Sequence, residues 1–133
     1  MGVKKRNSFL LNWSTTSPIP FSPNAVLSGV TSGAMTGTST IYSNIQDISN
    51  TDNQGLEVTW TGTPNGTISV LGSEGGTDFY SLTFDPPLGQ PIGVGDGYII
   101  NINQFPFRYL LVEYTNTSGS GSLTIWLGSK DVN

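Results

Sequence analysis

The chain has no cysteine and no histidine among its 133 residues, and it carries only five basic and nine acidic side chains. Without a thiol or an imidazole there is no disulfide framework, thiol nucleophile, zinc finger or Ser/His/Asp triad. Charged residues make up 11% of the chain, against about 25% in an average globular protein. The apolar run after the N-terminal charges is only Phe9-Leu10-Leu11, far short of a signal-peptide core or a membrane span. A protein made without a signal peptide and not associated with membranes is expected.

Gly, Ser, Thr and Asn account for sixty of the 133 residues. The apolar residues are β-branched or aromatic and recur in short alternating blocks, which disordered chains lack. No stretch has the 3.6-residue period of an amphipathic helix. The reading is all-β, with a surface of hydroxyls and amides. The length suits one domain that buries roughly two-thirds of its unfolded surface.

Lys4, Lys5 and Arg6 supply three of the five cations, so from Asn7 onward two cations face nine anions, a net of −7. A body of that sign repels phosphate backbones, which argues against nucleic-acid binding through it. Residues 1–7 read as a basic arm, a candidate for docking on an acidic partner, and residues 8–133 as a single domain.

Strands are expected over Ser8 to Trp13, Ala25 to Val30 and Thr38 to Ile45, the last two separated by a turn around Gly33. Asp47 to Gly55 reads as a polar loop. In the next strand Leu56, Val58 and Trp60 alternate with Glu57, Thr59 and Thr61. Thr63-Pro-Asn-Gly66 then suggests a tight hairpin into Thr67 to Leu71, with Gly66 at positive φ. Further strands are expected over Phe79 to Phe84, with Tyr80, Leu82 and Phe84 on one side, over Tyr98 to Asn103 and Arg108 to Tyr114, and over Leu123 to Gly128 after the turn at Thr117 to Gly121. About nine short strands with short connections imply an antiparallel β-sandwich, jelly-roll or Greek-key like.

Chemistry is sparse. No two of the nine carboxylates can be singled out as a glycosidase pair. Glu57 and Glu113 take the polar parity of their strands. Asp47, Asp52, Asn53 and Asp96 are ordinary turn formers that lack the spacing of a calcium loop, so neither metal nor cofactor is implied. Trp60 shares its parity with the core. Trp126 does not, because Leu123, Ile125 and Leu127 take the other face; an exposed Trp beside small residues marks a contact with a partner subunit or a sugar. Arg108 is one of two cations in the body and is expected half-buried against a carboxylate or an aromatic face.

Four segments carry a resemblance: Ile48-Ser-Asn-Thr-Asp-Asn-Gln-Gly55, Val58-Thr-Trp-Thr-Gly-Thr-Pro-Asn-Gly-Thr67, Phe79-Tyr-Ser-Leu82, and Arg108 through Thr117-Ser-Gly-Ser-Gly-Ser-Leu123 with Lys130. From Ile45 to Lys130 the chain resembles a family of small β-sandwich structural proteins of tailed bacteriophages. The shared residues are turn formers, so the resemblance transfers a scaffold and no active site. It implies a non-enzymatic virion protein, decorating the head or built into a fibre, whose partners are other virion subunits. Homo-oligomers are usual for such parts, with a trimer favoured, and Lys4, Lys5, Arg6, Arg108 and Trp126 are the candidate contact residues. The alternative is a carbohydrate-binding adhesion module that recognises a host-cell surface glycan.

Overall fold

A computed structural model describes residues 6–15, 17–18, 31–49, 51–82, 93, 95–102 and 107–131. Eleven strands run through them in chain order: β1 (Arg6–Leu10), β2 (Trp13–Ser14), β3 (Gly33–Thr36), β4 (Thr40–Ser43), β5 (Gln46–Asp47), β6 (Thr51–Gly62), β7 (Asn65–Ser73), β8 (Tyr80–Ser81), β9 (Gly97–Ile102), β10 (Tyr109–Ser118) and β11 (Ser120–Asp131). They form two antiparallel sheets. One has the order β1-β11-β6-β9, with β3 end to end with β1 along β11; the other has the order β2-β4-β10-β7-β8, with β5 following β4 along β10. The first is called here the β11 sheet and the second the β10 sheet. The path β1-β11-β6-β9 facing β4-β10-β7-β8 is the winding of a jelly roll.

The expected alternation supplies the two inner faces. Leu56, Val58, Trp60, Ile100, Ile102, Leu123, Ile125 and Leu127 of the β11 sheet meet Ile41, Ile68, Val70, Leu110, Val112 and Tyr114 of the β10 sheet in one core. Fully burying an aliphatic side chain of this size contributes about 1.5–3 kcal/mol. Trp60 is buried as expected, edge-on to the Tyr98 ring at 5.9 Å.

Several local expectations change once the sheets are assigned. The Ser8 to Trp13 strand breaks in two: β1 opens at Arg6, paired with Lys130, and β2 belongs to the other sheet, with Trp13 opposite Ser43. The chain crosses between layers at Leu11-Asn12. Leu11 N still donates to Ile125 O (3.0 Å), after which Asn44 N donates to Asn12 O (2.9 Å) and Asn12 N donates to the buried Asn44 carboxamide oxygen (2.8 Å). The Asn44 side chain thus satisfies an amide that leaves one sheet before it has joined the next. Gly33 is not a turn residue. It sits inside β3, where a Cβ would press on Ile41 and lie 3.1 Å from the Trp13 indole; the turn follows at Gly37 (φ 55°). Asp47 to Gly55 is not a loop, because β6 begins at Thr51 and pairs with β11 as far as Asp131, passing a bulge where Ser129 faces Gln54 and Lys130 faces Asp52. Ala25 to Val30 lies outside the described residues.

The largest correction concerns Thr63-Pro-Asn-Gly66. Strands β6 and β7 lie in different sheets, so this segment is a corner between layers rather than a hairpin. Its left-handed residue is Gly62 (φ 82°), not Gly66. The β10–β11 connection makes the reverse crossing beside it through Gly119 (φ 72°), and Thr63 N donates to Ser120 O (2.9 Å). Buried Asn116 ties the corner together. Its amide N donates to Ser39 O (2.9 Å), and its carboxamide donates to Gly37 O (2.9 Å) and Gly119 O (3.1 Å). It accepts from the Tyr114 hydroxyl (2.7 Å), whose pKa burial pushes up. Gly66 is required because that same hydroxyl occupies the space a Cβ would take.

Gly66→Ala should therefore lower stability by about 1–3 kcal/mol through overpacking. Gly37→Ala meets no atom within 4 Å and should cost only the left-handed penalty, about 1–2 kcal/mol. Urea midpoints of the two variants check this: equal stability of Gly66→Ala and wild type would mean that Tyr114 is not held against β7.

Candidate functional site

Parity along β11 decides what the β11 sheet shows to solvent. Leu123, Ile125 and Leu127 are fully buried, which turns Trp126 outward with 41% of its surface exposed. The register places Leu10 beside Trp126, Trp126 beside Glu57 and Glu57 beside Ile99, which is 72% exposed. These four form one row across the outer face. On one flank Gly128 faces Gly55, and on the other Thr124 faces Thr59. Neither glycine has a positive φ. A Cβ would come no closer than 3.6 Å to its neighbours at Gly55 and 3.9 Å at Gly128, which is ordinary contact. The fold does not require glycine at either position, yet glycine inside a strand weakens it and often marks close approach by another molecule. Among the described residues no strand pairs with the far edge of β9, whose sequence Gly-Tyr-Ile-Ile-Asn-Ile carries neither charge nor proline, the usual guards of an edge. The β10 sheet differs: Leu111, on the outward parity of β10, is buried, as is Ile45.

Arg108 precedes β10 and meets both expected partners. Its Nε and Nη2 donate to Asp47 Oδ2 at 3.2 and 3.1 Å, and its guanidinium carbon lies 5.0 Å from the centre of the Tyr109 ring. The side chain remains 52% exposed. Ile48 N donates to Arg108 O (2.8 Å), so the ion pair closes the end of the β5–β10 pairing. Partial burial alone would raise the Asp47 carboxyl; hydrogen bonds from Ser49 and Arg108, with the Arg108 charge, outweigh it and hold the pKa below its ordinary value of 3.8. Asp47 is thus engaged in a structural pair, and Asp96 is an exposed residue just before β9 whose carbonyl accepts from Trp60 N (2.9 Å).

Lys4 and Lys5 lie outside the described residues, while the backbone of Arg6 is already part of β1. The basic cluster is therefore divided between a preceding segment and the first rung of the sheet. Three exposed aromatic or aliphatic positions lie outside the expected site residues: Phe9, Tyr80 and Ile99. Ile99 was legible from the alternation of Ile99 with Ile100. Tyr80 is expected on the same side of its strand as Leu82; Leu82 packs on the core, but Tyr80 is 73% exposed. The reason is that β8 is a two-residue edge strand, so its inward parity faces the open rim rather than the opposing sheet. Phe84 lies outside the described residues. Among the described residues no helix is long and apolar enough to cross a membrane.

No protein-family model matches the chain, and no curated protein matches it.

The Asp47–Arg108 pair predicts a pH signature. Because the folded pKa of Asp47 is lowered, its contribution is fully present above 3.8 and is lost as pH falls through the folded value. Asp47→Asn should be less stable than wild type near neutral pH, and the gap in denaturant midpoints should close as pH drops below about 4. A gap that is independent of pH would mean that the charge on Asp47 contributes nothing.

Proposed function

We propose that this chain is a non-enzymatic structural protein of a tailed-bacteriophage virion, assembled through the outer face of its β11 sheet. The observation that carries the reading is the row Leu10, Trp126, Glu57, Ile99, in which two large apolar side chains stand exposed beside Gly55 and Gly128. Burying a Trp against a partner is the usual core of a protein interface, and a strip of bare backbone lets that partner approach. The lack of histidine and cysteine, the resemblance of the turn-rich segments to phage structural proteins and a β9 edge that no described strand covers favour the same reading. The partners are virion subunits, including further copies of this chain. Placement on the head or in a fibre is tested by labelled electron microscopy of purified particles; absence of the protein from them would overturn the virion assignment.

The face makes its own prediction. Gly55→Ala should raise the stability of the isolated chain by about 0.5–1 kcal/mol, since alanine is favoured over glycine in a strand interior, while weakening association. Trp126→Ala should lower association more strongly, with a modest fall in the melt from lost cross-strand packing, about 0.2–1 kcal/mol per pair. Sedimentation and thermal melts of both variants check this, and association equal to wild type in both would exclude the face as a contact.

The N-terminal charges are assigned to docking on an acidic neighbouring subunit. Deletion must stop at residue 5, because Arg6 and Asn7 are rungs of β1. Removal of residues 1–5 should leave the fold intact and reduce attachment to particles, most at low salt, where screening is weakest. Unchanged attachment at low salt would reduce the arm to a solvated tail.

A further inference from the structure

At the β7–β8 end of the β10 sheet, away from the Trp126 face, the chain forms a half-open cleft of about 390 Å³, within the usual range of small-ligand sites, roughly 300–1,000 Å³. Tyr80 lines it with 73% of its surface exposed. Phe107 and Leu82 add apolar surface, and Glu74 and Asp78 add carboxylates. The loop that forms the cleft is held from within. Gly76 N donates to Ser73 Oγ at 2.9 Å, and Gly76 has a φ of 83° and lies so close to Tyr109 that a Cβ would stand 3.2 Å from the ring. The cleft is therefore shaped before any ligand arrives, which lowers the ordering cost of binding.

Its lining selects a class of ligand. No cationic side chain is among the described lining residues, and Arg108, next to Phe107, is held by Asp47. An anionic ligand would meet two carboxylates with no counter-charge. A wholly apolar ligand would desolvate them without replacing their hydrogen bonds. A neutral sugar residue has what both surfaces need: a C–H face that stacks on an aromatic ring and hydroxyls that donate to carboxylates. We propose that this cleft binds a neutral glycan residue, with Tyr80 as the stacking platform and Glu74 and Asp78 accepting from sugar hydroxyls. The inference goes beyond the structural role and does not depend on it.

Wild-type protein tested on a glycan array, and by NMR titration against the oligosaccharides it selects, should bind neutral glycans in preference to sialylated or sulfated ones. Tyr80→Ala removes a mostly exposed ring and should weaken binding about tenfold or more with an unchanged melt. Glu74→Gln combined with Asp78→Asn should weaken it further. The proposal is overturned if wild type binds no neutral glycan, if anionic glycans are preferred, or if Tyr80→Ala binds undiminished. None of these outcomes bears on where the protein sits in a particle.

Discussion

A chain that changes sheet at nearly every connection must make each change without stranding a buried backbone amide, and in this protein that requirement falls most heavily on Asn116. Its carboxamide and backbone bind the Gly37 turn, Ser39, the Gly119 crossing and the Tyr114 hydroxyl at once. With the hydroxyl fixed, β7 can lie against β10 only if residue 66 has no side chain. The β6–β7 and β10–β11 crossings then settle against each other through Thr63 and Ser120. Buried amides at Asn12 and Asn44 do the same at the opposite crossing, and Ser43 Oγ replaces a backbone partner by accepting from Val112 N (2.9 Å). An Asn-rich and Ser-rich composition is therefore partly an interior requirement, since unsatisfied buried amides cost about 1–3 kcal/mol each.

The proposed roles separate cleanly on this scaffold. Assembly is assigned to the flat face of the β11 sheet, and glycan recognition to the loop end of the β10 sheet, near the Arg108–Asp47 pair that fixes the start of β10. The flat face offers apolar surface and exposed backbone, which suits a protein partner. The cleft offers one aromatic platform and acceptors, which suits a small polyol. Because the two lie on different sheets, one molecule can be held through the first while presenting the second.

The alternation of Leu56, Val58 and Trp60 with polar neighbours, and of Leu123, Ile125 and Leu127 with Trp126, was readable because period-two patterning reports a face directly. Sheet membership was not readable. Thr63-Pro-Asn-Gly66 has the chemistry of a tight reversal, and a hairpin and a corner between layers use the same residues; only the distant partners, β11 for β6 and β10 for β7, distinguish them. Gly33 and Gly66 looked like turn glycines and are packing glycines, for a reason located in Ile41, Trp13 and Tyr114. Of the candidate site, Trp126 and the partners of Arg108 followed from parity and charge, and the same parity carried an unused signal for Ile99. The Tyr80 cleft did not, because exposure at the end of a two-residue edge strand depends on where the opposing sheet stops.

The register of β11 has a consequence for how the molecule comes into being. This strand, the last in the described chain, pairs with β1, β3 and β6, so the sheet they form has no centre until residues 120–131 have emerged from the ribosome. The β6–β7 and β10–β11 connections join strands of different sheets and so close no hairpin, and pairing Arg6 with Lys130 closes almost the whole described chain into one loop. Folding must then be late and concerted, with the slow rates of high contact order. Until it is complete, the apolar faces of β6 and β9 stay open to neighbouring nascent chains, so that association competes with folding while the last strand is being made.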